Sequence, residues 1–244
     1  MIINILLQSL IEIMTKEFEI LIEPDNRAAY LANLIKMDGL AGVIEDPTAA
    51  YCAVSLTNTP SSAKSFVTER QTVLKEILEA VKITPYDPAT APLSPDLNLT
   101  TGPEEVYRTD LSRVAGARFF TAFDTFPSTG VGVEIEAARR YNRISVILHD
   151  HKIRTSRMQP DCAIHVAVKD INAQREQLQE LFAFLREYTP GRGIQNQHPL
   201  LLGFKKGKAV NLPEVAAQQF PELVYTYDGT KPPLTFSVDN FEVI

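Results

Sequence analysis

Between Phe119 and Tyr141 the chain passes from a strand-like run to a helix-like one across Ser128-Thr129-Gly130-Val131-Gly132-Val133-Glu134, and this junction restricts the fold more than any other stretch. Two glycines let backbone turn sharply and approach a ligand closely, because neither carries a Cβ. The residues from Glu134 to Tyr141 read as the opening turns of a helix, whose free N–H groups and dipole attract anions such as phosphate. The same seven residues deliver a carboxylate to the junction. An anion cradle beside an acid points to chemistry on a phosphorylated small molecule.

The flanking sequence repeats the strand-then-helix order. Phe18–Glu23 reads as a strand, and Asp25 is placed to cap a helix from about Asn26 to Met37 that Gly39 ends. Tyr51–Leu56 is a short apolar run. Ala63–Val81 carries Phe66, Val67, Val73, Leu74, Ile77, Leu78 and Val81 at helical spacing. Pro85 to Pro103 holds five prolines and reads as a loop. Pro103-Glu104-Glu105 opens a helix with proline and acids in its first turn, and that helix carries Asp110. Phe119–Phe123, Arg143–Leu148 and Ile164–Val168 read as strands, and Asn172–Tyr188 as an amphipathic helix.

Alternation of this kind specifies an α/β fold: a doubly wound, mostly parallel five-stranded sheet, helices on both faces, joined by right-handed crossovers. Ligands bind such sheets beyond the carboxyl ends of the strands, where strand order reverses. The loops expected there are Ser55–Ser62, Asp124–Val133 and His149–Arg157. The reading divides the chain into residues 1–48, a strand-plus-helix extension; 49–189, the α/β domain; and 190–244. The last, with Gly191, Gly193, Gly203 and Gly207, reads as an irregular extension or subunit-contact arm.

A net charge of −6 argues against a nucleic-acid polymer as partner, since no large positive field exists to release counterions. Met1–Met14 lacks the basic region and cleavage site of a secretory signal, and no stretch reaches the 18 or so apolar residues of a membrane span. Cys52 and Cys162 are too few for a disulfide framework and read as buried small apolar groups, so a cytoplasmic setting is expected. His149-Asp150-His151 places two imidazoles on one strand face, but no third ligand stands at a characteristic spacing. No metal and no cofactor are therefore expected. Phe204-Lys205-Lys206-Gly207-Lys208 reads as a solvated turn.

Pro127-Ser128-Thr129-Gly130-Val131-Gly132-Val133-Glu134-Ile135 resembles the Pro-Ser-x-Gly-Val-Gly-x-Glu-Leu signature of the nucleoside 2-deoxyribosyltransferase-like superfamily. It is most similar to the branch that hydrolyses 2′-deoxynucleoside 5′-monophosphates. Asp110, 24 residues ahead of Glu134, matches that family's acidic residue. Ser156, in Arg154-Thr155-Ser156-Arg157, resembles its second phosphate-binding serine, and Tyr51 its first-strand tyrosine. The likeness spans roughly residues 50–188.

The resemblance implies that Glu134 attacks C1′ of the sugar while Asp110 contacts the base and assists its departure. Ser128, the amides of Gly130 and Gly132, and Ser156 would hold the 5′-phosphate. Two carboxylates about 5–6 Å apart suit such a covalent glycosyl-enzyme route, and a helix N-terminus is expected to keep Glu134 ionised. Two departures stand out. Glu136 occupies a position where the family has glycine, and Val54-Ser55 replaces a Gly-Ser pair. Residues two apart on a helix point about 200° away from each other, so Glu136 is expected to face solvent. Three readings follow: an N-glycosidase acting on nucleoside 5′-monophosphates, a deoxyribosyltransferase exchanging bases on deoxynucleosides, or a catalytically inactive nucleotide-binding module. The expected partners are the nucleotide or nucleoside and a second copy of the chain, as a homodimer or higher homo-oligomer.

Overall fold

A computed structural model describes residues 19–40, 42–55, 59–92, 100–126, 128–150, 162–195 and 197–225. Six strands form the main sheet. β2 (Asp46–Ala53), β3 (Thr84–Tyr86), β4 (Ala117–Asp124), β5 (Ile144–Asp150) and β6 (Ile164–Val168) are all parallel, and β10 (Val224–Tyr225) pairs antiparallel with β6. The order across the sheet is β10-β6-β5-β4-β2-β3. The chain thus steps from β2 outward to β3 and then returns to β4 on the other side of β2. The reversal opens a crevice at the carboxyl ends of β2 and β4. The expected count of five strands is corrected to six: β3 and β10 join, and the first strand read from the sequence lies outside this sheet. β3 lies within the stretch read as proline loop; Pro85 is tolerated because β3 is an edge strand.

Helices cover both faces of this sheet. On one, α2 (Lys64–Ala80), α5 (Arg175–Leu185) and α6 (Leu212–Gln219) set Leu74, Ile77, Leu181, Phe182 and Ala216 against Cys52, Phe119, Val146 and Val166. On the other, α1 (Pro24–Met37), α3 (Pro103–Gly116) and α4 (Thr129–Arg140) pack Leu31, Leu111, Val114 and Ala138 onto Tyr51, Phe120, Ala122 and Ile147. Strand residues divide between these faces with period two, the geometry of a pleated strand. Fully burying side chains of this size stabilises the fold by about 1.5–3 kcal/mol each. β4 sits centrally despite Arg118 and Thr121, because Arg118 reaches Glu45 at 3.4 Å and Thr121 bonds the Tyr51 carbonyl at 3.5 Å. α1 begins two residues earlier than its sequence suggests, at Pro24, so Asp25 lies in its first turn and gives no side-chain cap.

The expectation of irregular structure after Pro190 does not describe residues 190–225. β1 (Glu19–Ile22), β7 (Thr189–Gln195), β8 (His198–Lys205) and β9 (Lys208–Asn211) form a second sheet, antiparallel throughout, in that order. The glycines that suggested irregularity are what let it pack. A Cβ at Gly191 would lie 2.8 Å from the Ile22 carbonyl oxygen and would also strike the Phe204 ring. Only hydrogen fits there, so β7 can pass close to β1 and β8. Segments 19–22 and 189–211, far apart in the chain, are thereby joined in one sheet.

Candidate active site

β2 aims Tyr51 at the face covered by α3 and α4, and its side chain is wholly buried. Its ring stacks between Tyr86 of β3 and Phe120 of β4, with centroids 5.6 and 6.0 Å away. This aromatic slab fixes the phenol and leaves the hydroxyl at the helices. There Tyr51 Oη donates to Glu134 Oε1 at 2.7 Å. Asp110, on α3 beside α4, also interacts with the Tyr51 hydroxyl. Residues 51, 110 and 134 are therefore gathered at one hydroxyl by three separate elements.

The surroundings hold both acids toward their neutral forms. Burial pushes the Glu134 carboxyl up to about 7; the Tyr51 hydrogen bond opposes this and the Asp110 charge adds to it. Burial also raises Asp110 above the ordinary aspartate value, again against the Tyr51 hydroxyl. Burial, then the two neighbouring carboxylates, drive the Tyr51 phenol far above its ordinary range, so it stays a donor. The expectation that a helix N-terminus keeps Glu134 ionised is thus corrected. α4 begins at Thr129, five residues before Glu134, and the dipole fades beyond the first turn, so desolvation prevails.

The earlier helix start also changes the glycine reading. Gly130 and Gly132 lie inside the opening turns of α4, and neither has positive φ. The Gly132 amide is spent on the Ser128 carbonyl at 3.1 Å, the regular helical bond. Ser128 is the N-cap, and its Oγ accepts from the Val131 amide at 3.4 Å. The amides of Thr129 and Gly130 then remain as helix-end donors, together with the Ser128 hydroxyl hydrogen. So the free donors at the amino end of α4 belong to Ser128, Thr129 and Gly130, and Gly132 contributes only bareness. A Cβ built there meets nothing within 4 Å. Ser156 lies outside the described residues.

Glu136 is exposed and gripped by Arg139, Nε to Oε2 at 2.7 Å, so it points away from Tyr51. Among the described residues no group of three or more His, Cys, Asp or Glu side chains is placed to hold a metal. His149 instead bonds the His165 ring, Nε2 to Nδ1 at 2.8 Å, and both imidazoles stack near Tyr225. His151 lies outside the described residues. Cys52 is buried, its thiol pushed up to about 12 by that burial, whereas Cys162 is partly exposed, contrary to expectation.

Tyr86 escaped the sequence reading. It flanks Tyr51, is half-buried at the crevice, and carries Arg113 over its ring at 4.8 Å. Its only sequence signal is a tyrosine directly after Pro85, inside a stretch that proline content assigned to loop.

No helix among the described residues is long and apolar enough to cross a membrane. No protein-family model matches the chain, and no curated protein matches it. Among solved structures, the CMP N-glycosidase BcmB of Clostridium botulinum is similar at 14% identity with a TM-score of 0.39, over 54% of this chain and 98% of that one. Likeness at that level assigns no activity; what the chain displays in its own right is an α/β architecture with a mixed, mostly parallel six-stranded sheet.

Proposed function

We propose that the protein is an N-glycosidase that hydrolyses the N-glycosidic bond of nucleoside or deoxynucleoside 5′-monophosphates. The observation that carries this reading is the Tyr51 hydroxyl shared by two partly buried carboxyls, Glu134 and Asp110, whose charged forms burial disfavours. Glycosidic cleavage through a covalent intermediate needs a nucleophilic carboxylate and a carboxylic acid on the two sides of one bond. Linked acids raised by burial supply both, because the pair retains one proton between them up to about neutral pH.

In the first step a Glu134 oxygen bonds to C1′ as the C1′–N bond breaks. The base leaves with the bonding pair and takes the proton of Asp110. In the second, water attacks C1′, gives its proton back to Asp110, and the ester to Glu134 breaks to release the sugar 5-phosphate. Tyr51 holds the Glu134 carboxylate in line by its hydrogen bond. Ser128 and the Thr129 and Gly130 amides are the donors for the phosphate, with Ser156 as a further one from its resemblance.

These donors favour the hydrolase reading over base exchange, since transferase substrates carry no phosphate. Incubation with a panel of nucleoside 5′-monophosphates and the matching nucleosides, followed by chromatography for free base, tests the proposal. Base release from a monophosphate is expected, and Glu134→Ala should abolish it. Exchange of an added second base would assign the transferase instead. Nucleotide binding with no base released from any substrate would leave only the inactive binding module.

A further inference from the structure

At the amino ends of the parallel strands, opposite the Tyr51 crevice, several guanidiniums gather around one carboxylate. Glu45 accepts from Arg27 of α1, with Nη1 at 2.8 Å and Nη2 closer still, from Arg143 Nη1, and from Arg118 Nε at 3.4 Å. Burial pushes the Glu45 carboxyl up, and the three guanidiniums together outweigh it and hold it below its ordinary value. Arg27 and Arg143 are only 6% and 1% exposed. Three cations thus face one anion where water is largely excluded. A buried charge is stable only when paired and hydrogen-bonded.

That condition is not met by the protein alone. Arg143 Nη1 reaches Glu45 and the Ala117 carbonyl, but its Nε and Nη2 are buried donors that find no acceptor among the described residues. Asn142 Nδ2 and Arg27 Nε are in the same state. Burial lowers Arg143 to about 10, so it remains charged at neutral pH.

Arg143 and Asn142 line a cleft between the carboxyl end of α4, the starts of β5 and β6, and the second sheet. Arg139, Ser145, Cys162 and Arg192 complete it. It is shallow and open to solvent, with about 10 Å³ of closed space, room for one water or one oxygen atom. Of the carboxylates nearby, Glu45 is fully engaged, and Glu136 is held by Arg139 at 2.7 and 2.5 Å. The cleft is therefore lined by three arginines and an amide beside the apolar Ala163, Leu200 and Leu201.

We propose that this cleft binds a small oxyanion of the phosphate class, one oxygen entering against Arg143 and Asn142 and the others meeting Arg139 and Arg192. Guanidinium forks match tetrahedral oxyanions in geometry as well as charge, and a doubly negative anion balances the two cations Glu45 leaves uncompensated. The site is distinct from the phosphate donors at Ser128, which lie at the other end of α4.

Thermal melting of the full chain tests this, comparing inorganic phosphate, glycerol phosphate and chloride at equal ionic strength. About 10 mM inorganic phosphate should raise the midpoint by about 3 °C or more over chloride. A matching rise with glycerol phosphate extends the site to phosphoryl ends of metabolites; a rise with inorganic phosphate alone restricts it to the free anion. Arg139→Gln with Arg192→Gln, both on partly exposed side chains, should remove most of the rise while circular dichroism stays unchanged. Ser128→Ala should keep it. No rise over chloride, a rise untouched by the double variant, or a rise lost in Ser128→Ala would each overturn the proposal.

Discussion

Replacing Glu134 with glutamine separates the electrostatics of the crevice from the proposed catalytic role of this residue. In the fold this carboxyl titrates near 7 because burial penalises its charge, against an ordinary value of 4.5. A group whose folded value is raised binds its proton more tightly in the fold than in the unfolded chain. Folding therefore loses stability as pH rises from 4.5 to 7, and the loss is complete above 7. At 1.36 kcal/mol per pH unit this amounts to about 3 kcal/mol at pH 8 and about 1 kcal/mol at pH 5. Glutamine keeps the size and the Oε1 acceptor for Tyr51 but cannot ionise. Glu134→Gln should therefore be more stable than the parent by about 3 kcal/mol at pH 8, roughly 6–12 °C in melting midpoint, and by only about 1 kcal/mol at pH 5. Urea denaturation at the two pH values measures the difference, and base release should be lost at both. An equal effect at pH 5 and pH 8 would refute the reasoning, because the Glu134 carboxyl would then titrate alike folded and unfolded.

Tyr51→Phe removes the hydrogen bond that holds Glu134 down, so the alkaline fall of base release, expected near pH 7 in the parent, should move to higher pH, at a stability cost of about 1–2 kcal/mol. Gly132→Ala replaces a glycine in an exposed helical position with nothing within 4 Å of the new Cβ, so it should stabilise α4 by about 0.5–1 kcal/mol; loss of base release in that stabilised variant would show that substrate passes close to the glycine, and full activity would remove that contact. Ser128→Ala should raise KM for a monophosphate about ten- to hundredfold while barely changing that of the nucleoside, since a charge-assisted hydrogen bond contributes about 1.5–3 kcal/mol; equal losses on both substrates would reduce Ser128 to a helix cap. Gly191→Ala should destabilise the fold by more than about 2 kcal/mol in denaturant titration, because the Ile22 carbonyl and the Phe204 ring leave no space for a methyl group.

Local pattern carried much of the fold. The strand-to-helix junction at Ser128, the helical spacing from Phe66 to Leu78, and the proline-acid start at Pro103 each reported an element, because apolar period and turn chemistry are properties of neighbouring residues. Motif spacing likewise brought out Asp110 and Glu134, which share the Tyr51 hydroxyl. Pairing across long separations was not legible. β1 and β7 lie some 170 residues apart in the chain, and Gly191 and Gly193 look like loop residues until a facing backbone explains why only glycine fits. Tyr86 was hidden for the same reason, as its place beside Tyr51 comes from sheet pairing rather than from its own neighbours. Protonation was decided last of all by the tertiary structure. Residue type makes Glu134 an acid of ordinary strength; packing beside Tyr51 and Asp110, where burial penalises its charge, pushes it up to about 7.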